Sequence, residues 1–230
     1  MINTSKYPKT FGSTKDQVAG ILHSAICYGE LLPGQELVQD TIAKELGVSR
    51  SPVREAFYEL LSEGLIEYNL NRGFFVKQID RNFWVDYFWI RVEFEIKSMT
   101  YICEATIDKH QFEDLQEREK LAYDQRNIPE LSTINNLYLQ MVCNLLNQLG
   151  HYRLSVYMSQ LYRLAPRHFS EDSAELEEAV MITYSYHCRM YSAIINGDIV
   201  TVSELIKHHI EFLKHRYLTF RTTKGLDPKS

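Results

Sequence analysis

The sequence predicts a mainly α-helical protein in two parts. Three helices and a two-stranded hairpin occupy residues 14–79, and an all-α antiparallel helical bundle fills 80–222. Three observations carry this reading. Apolar residues recur at i, i+3, i+4 through most of the 230 residues. Alternating, β-like pieces are confined to LIEYNL (65–70) and GFFVKQI (73–79). Glycine and proline punctuate the first 80 residues closely and become rare afterwards.

Residues 1–13, with Pro8 and Gly12, read as a flexible arm. Ser13 or Thr14 is placed to cap a first helix carrying Val18, Ile21, Leu22, Ala25 and Ile26. GELLPGQEL (29–37) ends it with Gly29, Pro33 and Gly34. A second helix follows Asp40, with Ile42, Ala43 and Leu46 inward and Gly47 just past its end. Ser51 is the predicted N-cap and Pro52 the first residue of a third helix, whose stripe is Val53, Ala56, Phe57, Leu60 and Leu61. Gly64 stops it, and a hairpin joined by Asn71-Arg72 follows. Helix, helix, short glycine-containing turn, helix, hairpin is the order of a winged helix-turn-helix. Six further helices are predicted near 82–104, 109–126, 129–148, 152–164, 172–196 and 199–220, bounded by Asp80, Asp108, Pro129 and Gly197-Asp198. Residues 223–230 are left as a tail. The 15 tyrosines pack helices or line a pocket.

Composition narrows the function classes. The net charge of -5 excludes a uniformly basic nucleic-acid coat, so any anion-binding surface is local. The four cysteines, Cys27, Cys103, Cys143 and Cys188, have no CxxC spacing and read as free thiols in a reducing compartment. The first residues lack the apolar run of a signal peptide, and no stretch approaches the ~18–20 apolar residues of a membrane span. A cytoplasmic protein with no membrane partner is expected.

One stretch concentrates positive charge against local preference. In GVSRSPVREAF (47–57), Arg50 and Arg54 lie at the start of the third helix, where the helix dipole favours acidic side chains. An anion from outside resolves the conflict. In a helix-turn-helix this helix start meets the DNA major groove, and arginine paired bidentately with guanine is the commonest specific base contact. Ser49, Arg50, Ser51, Pro52 and Arg54 are therefore the candidate DNA-reading residues, with Arg72 and Gly73 at the hairpin tip beside phosphate or minor groove. The alternative is a plain helical hairpin with two solvated arginines.

Residues 20–76 resemble the GntR family of bacterial transcriptional regulators. The most specific features are G-x-L-x-PG-x-x-L (Gly29, Leu31, Pro33, Gly34, Leu37), LGVSRSPVREA (46–56), L-x-x-EGL-I and the later RGFFV. The helical remainder is similar to the FadR-type subgroup, whose effector domain is an all-α bundle called FCD. Arg91, in FWIRVEFE, falls where that subgroup has an arginine in its first effector-domain helix. Many members hold a divalent metal through an Asp-x-x-x-His pair and two later histidines, and the metal helps bind a small carboxylate. His187 and His209 match the late histidines, while the best register puts Asn136 and Gln140 where the pair would stand.

Amide oxygens are weak neutral ligands beside imidazole and carboxylate, so two histidines and two amides should hold zinc, nickel or manganese poorly. No cofactor is therefore assigned. The expected effector site is metal-free, formed by Arg91, Asn136, Gln140, His187 and His209, with a weak metal site at His187 and His209 or a bundle without a ligand as alternatives. Arg91 anchors a carboxylate or pairs with Glu95 one turn on. The function implied is a ligand-responsive regulator, a repressor binding a short inverted-repeat operator in double-stranded DNA as a homodimer. Its rivals are an all-α metal-dependent hydrolase or lyase using His187 and His209, and a sequence-independent DNA-coating protein. HExxH, nucleophile and phosphate-loop motifs are absent from the sequence.

Overall fold

The computed structural model describes residues 13–164 and 173–226; the predicted arm before Ser13 and the tail beyond Leu226 lie outside the described residues. The chain divides into two compact units. One runs to Phe83 and takes in Leu218 onward, and the other is Trp84–Tyr217.

In the first unit, α1 (Thr14–Cys27) opens with a capping box. The Ser13 side chain accepts from the Asp16 backbone N–H, and the Asp16 carboxylate accepts from the Ser13 N–H. The helix-turn-helix is α2 (Gln39–Leu46) and α3 (Arg50–Ser62). Gly47 takes φ 67° between them, a left-handed turn that glycine adopts without strain. The third helix starts earlier than predicted. Its N-cap is Ser49 and its first residue Arg50, so Ser51 and Pro52 lie inside the first turn. A proline there loses nothing, because first-turn N–H groups have no intrahelical partner.

The wing is β2 (Ile66–Asn69) antiparallel to β3 (Gly73–Val76), in register Ile66↔Val76 and Asn69↔Gly73. A further strand, β1 (Glu36–Leu37), pairs with the other side of β3, giving the order β1-β3-β2. The sequence reading missed β1 because two residues show no alternation. Val53, Phe57, Leu60, Leu65, Ile66 and Val76 are fully buried beneath this sheet and α1, with Phe57 edge-on to Phe74 at 4.9 Å.

The end of the last helix, α9 (Ile199–Thr223), completes this unit. The Arg221 guanidinium, buried, donates to the carbonyls of Ile79 (2.8 Å) and Leu226 (2.9 Å). Leu226 in turn lies against Gly29, where a Cβ would stand 2.5 Å from a leucine methyl and the φ of 73° already favours glycine.

The second unit holds the rest of α4 (Arg81–Glu104) and α9, with α5 (His110–Asp124), α6 (Ile128–Gln148), α7 (Tyr152–Leu164) and α8 (Ser173–Ile195) between them. All six lie close to their predicted bounds. Neighbours are α5 with α8 and α6, and α6 with α7. Antiparallel α4 and α7 meet at three levels: the Tyr87 hydroxyl donates to the Leu161 carbonyl, Phe94 is edge-on to Tyr157, and Tyr101 stacks on His151. No helix among the described residues is long and apolar enough to cross a membrane.

Candidate functional site

Two groups of polar residues stand apart from the packing. The first is the exposed start of α3. Ser49, Arg50, Ser51 and Arg54 are all exposed, while Val53, Ala56 and Phe57 on the opposite face are buried. The 3.6-residue period separates the two sets, so the helix presents its arginines without disturbing the core. Arg50 pairs with Asp40 at the start of α2, its Nη2 donating to Oδ2 at 2.8 Å. Ser51 donates to Glu55 at 3.1 Å, and Arg54 lies over the Tyr58 ring at 5.8 Å. At the wing tip, Arg72 is exposed and lies over the Phe75 ring at 4.9 Å, and Gly73 begins β3 with φ 90°. The surface is thus polar and locally basic, with acidic partners that can release an arginine to a stronger anion.

The second group is buried in the second unit. Arg91 and Glu95, one turn apart on α4, form an ion pair at 2.6 Å with both side chains almost wholly enclosed. Arg91 also lies over the Tyr162 ring at 4.7 Å. Burial pulls the guanidinium pKa down, but Glu95 and the Tyr87 and Tyr162 side chains raise it well above its ordinary value, so Arg91 stays charged. Arg91 does pair with Glu95, inside the bundle and not on its surface. On α8, His187 Nδ1 meets Glu119 Oε1 of α5 at 2.9 Å. His187 stacks on Tyr138 of α6 (5.8 Å), and His209 of α9 meets it edge-on at 5.5 Å. Tyr186 and Tyr191 pack on the two histidines, at 5.1 Å from His209 and 5.9 Å from His187.

Three of these predicted residues, Arg91, His187 and His209, are therefore buried together. Asn136 and Gln140 are placed differently: Asn136 is half-buried and Gln140 exposed. The inward face of α6 is Leu131, Ile134, Tyr138, Met141, Val142 and Leu145. A residue two positions from Tyr138 is turned about 200° around the axis, away from the histidines. Glu119, Tyr138, Tyr162 and Tyr191 were not anticipated. Glu119 had a legible signal, because it falls on the inward stripe Phe112, Leu115, Glu119, Ala122, where a carboxylate needs a partner.

The donor set does not suit a metal. Among the described residues no group of three or more His, Cys, Asp or Glu side chains could hold an ion. His187 has Nδ1 engaged by Glu119, and the side chain stacked on its ring is Tyr138, a poor ligand beside imidazole, thiolate or carboxylate.

His209 carries a pH dependence. Burial, then the neighbouring His187 and Arg91, push its pKa well below the ordinary 6.5. As pH falls through about 6.5 the unfolded chain takes up a proton that the folded bundle refuses, so stability falls with a slope of up to about 1.4 kcal/mol per pH unit. Denaturation midpoints between pH 7.5 and 5.5 should show this slope in the wild type and a shallower one in His209→Gln. Equal slopes would place the dependence elsewhere.

Comparison with known proteins bears on both groups. Residues 14–76 match the family described as bacterial regulatory proteins, gntR family. The Nta operon transcriptional regulator of Aminobacter aminovorans is 31% identical over 77 residues, 34% of this chain and 37% of that protein. The alignment thus spans about a third of the length of this and similar relatives. The HTH-type transcriptional repressor RspR of Escherichia coli is 23% identical over 200 residues, 85% of each chain. The solved structure of E. coli McbR/YncC covers 90% of this chain and 100% of its own, with a TM-score of 0.62 at 22% identity, a likeness of fold alone. The matched family is one of bacterial regulatory proteins, and both curated relatives are described as transcriptional regulators.

Proposed function

We propose that this chain, whose residues 14–76 match the gntR family of bacterial regulatory proteins, is a DNA-binding, ligand-responsive repressor. It binds a short inverted-repeat operator as a homodimer and senses a small metabolite in the helical bundle. The observation that carries the DNA reading is the exposed arginine-bearing start of α3, held by a helix-turn-helix whose buried face is fully packed. The repressor role is favoured by the name of a relative aligned over 85% of the chain. The test is selection of bound duplexes from a random library. A recurring inverted repeat, bound far more tightly than random duplex, is expected; recovery without a common sequence would leave only non-specific binding.

A second copy is suggested by the outer surface of α4 and α7. Val85, Trp89 and Ile90 are exposed on α4, and Tyr152, Val156 and Tyr157 on the adjoining α7. Trp89 is 67% exposed. Large aromatics left open on two neighbouring helices are the usual content of an interface core. Trp89→Glu is expected to halve the mass measured by light scattering while leaving the circular dichroism of the wild type. An unchanged mass would move the dimer contact elsewhere.

A further inference from the structure

The buried cluster in the second unit contains more polar atoms than it satisfies. By hydrogen-bond geometry Glu119 Oε2, the Tyr191 hydroxyl and His209 Nε2 are each enclosed without a partner among the described residues, although Tyr191 stands close enough to Glu119 for the carboxylate, after burial, to hold its hydroxyl pKa well above the ordinary value. Glu119 is 3% exposed, Tyr191 is fully buried and His209 is 7% exposed. They come from α5, α8 and α9 and gather around one ring: His187 bonds Glu119 at 2.9 Å and lies 5.9 Å from Tyr191 and 5.5 Å from His209. Buried polar groups are nearly always paired, so three orphans around one residue mark a place built for something else. Water alone would meet hydrogen-bonding needs but not the charge.

The charge is uneven. Among the described residues Arg91 is the one guanidinium of the cluster, and it is already paired with Glu95 at 2.6 Å. That leaves the Glu119 carboxylate, which meets His187 on one oxygen and has the Tyr191 hydroxyl beside it. A carboxylate ligand would bring a second negative charge beside it and find no free guanidinium. A ligand rich in donors and carrying positive charge fits the same atoms. An alkylammonium head has three N–H donors and no acceptor, matching three orphans that can all accept. The faces of Tyr138, Tyr186 and Tyr191 around the histidines add attraction for a cation.

We infer that this cluster is a binding site for the ammonium head of a small primary amine, held by Glu119, Tyr191 and His209. The inference rests on the reading of the bundle as a small-molecule sensor and replaces the carboxylate expected from Arg91. The test uses the full-length protein with methylammonium, ethylamine and 2-phenylethylamine, against acetate and 3-phenylpropionate at matched ionic strength. Thermal midpoints and the imidazole ¹⁵N signals of His209 are read. At least one amine is expected to raise the midpoint and shift His209 saturably, with no effect of either carboxylate. Glu119→Gln should weaken amine binding at least tenfold. Tyr191→Phe, which keeps the core shape, should weaken it several-fold with the circular dichroism unchanged.

Saturable effects of the carboxylates alone, or no shift of His209 with any amine, would overturn the inference. So would amine binding that Glu119→Gln and Tyr191→Phe leave unaltered. Operator titrations with bound amine separate the two readings. Amine binding that leaves operator affinity unchanged defeats the sensor role and keeps the site.

Discussion

Alanine at both Arg50 and Arg54 is expected to weaken binding to the selected operator by about 2–6 kcal/mol, roughly 30- to 10⁴-fold, with each arginine worth about 1–3 kcal/mol of base discrimination. Both side chains leave the exposed face of α3, and Val53, Ala56 and Phe57 behind them keep the core. The Asp40 partner of Arg50 is itself exposed, so breaking that pair costs at most about 1 kcal/mol of stability. Circular dichroism should therefore be unchanged while operator titrations move. The random-duplex titration separates the roles. Base contacts lower operator affinity far more than random affinity, whereas phosphate contacts lower both and reduce the salt slope by about one per arginine. Unchanged operator affinity would reject the α3 start as the reading surface.

Arg91→Met is expected to destabilise the second unit by about 3–5 kcal/mol, because it leaves the Glu95 carboxylate buried without its partner. The double variant Arg91→Met, Glu95→Leu should recover most of that loss, since a buried ion pair and a well-packed apolar pair of similar volume are often close in free energy. Urea denaturation followed by tyrosine and tryptophan fluorescence measures all three proteins. A double variant as unstable as the single one would show that Arg91 does something besides balancing Glu95, such as holding the Tyr162 ring beneath it.

Much of the fold was legible because long helices repeat their signal. The six bundle helices were bounded by Asp80, Asp108, Pro129 and Gly197-Asp198, residues whose backbone preferences act locally. β1 has no such repetition, and pairing with Phe74 and Phe75 makes it a strand. At the start of α3, serines at 49 and 51 compete for one cap; the structure settles on Ser49, although its side chain makes no capping bond. The exposed arginines of α3 were legible as a local conflict with the helix dipole, and DNA contact is the role proposed for them. The buried cluster was legible in part. Arg91, His187 and His209 came from resemblance, but Glu119 and Tyr138 belong to it through tertiary packing that no local spacing encodes. Asn136 and Gln140 on α6 also came from the register of the resemblance, whereas the inward face follows the apolar stripe that includes Tyr138.

The closure of the first unit by Arg221 and Leu226 orders events in time. Residues to Phe83 emerge early from the ribosome, but the side chains that cap the Ile79 carbonyl and cover Gly29 follow about 140 residues later. At about 5–20 residues per second that interval is roughly 7–30 s. Until then the helix-turn-helix and wing exist without their final brace, and the first unit is finished only after the second has been synthesised. A nascent chain stalled before residue 218 carries the whole arginine-bearing helix and still lacks the completed unit that presents it.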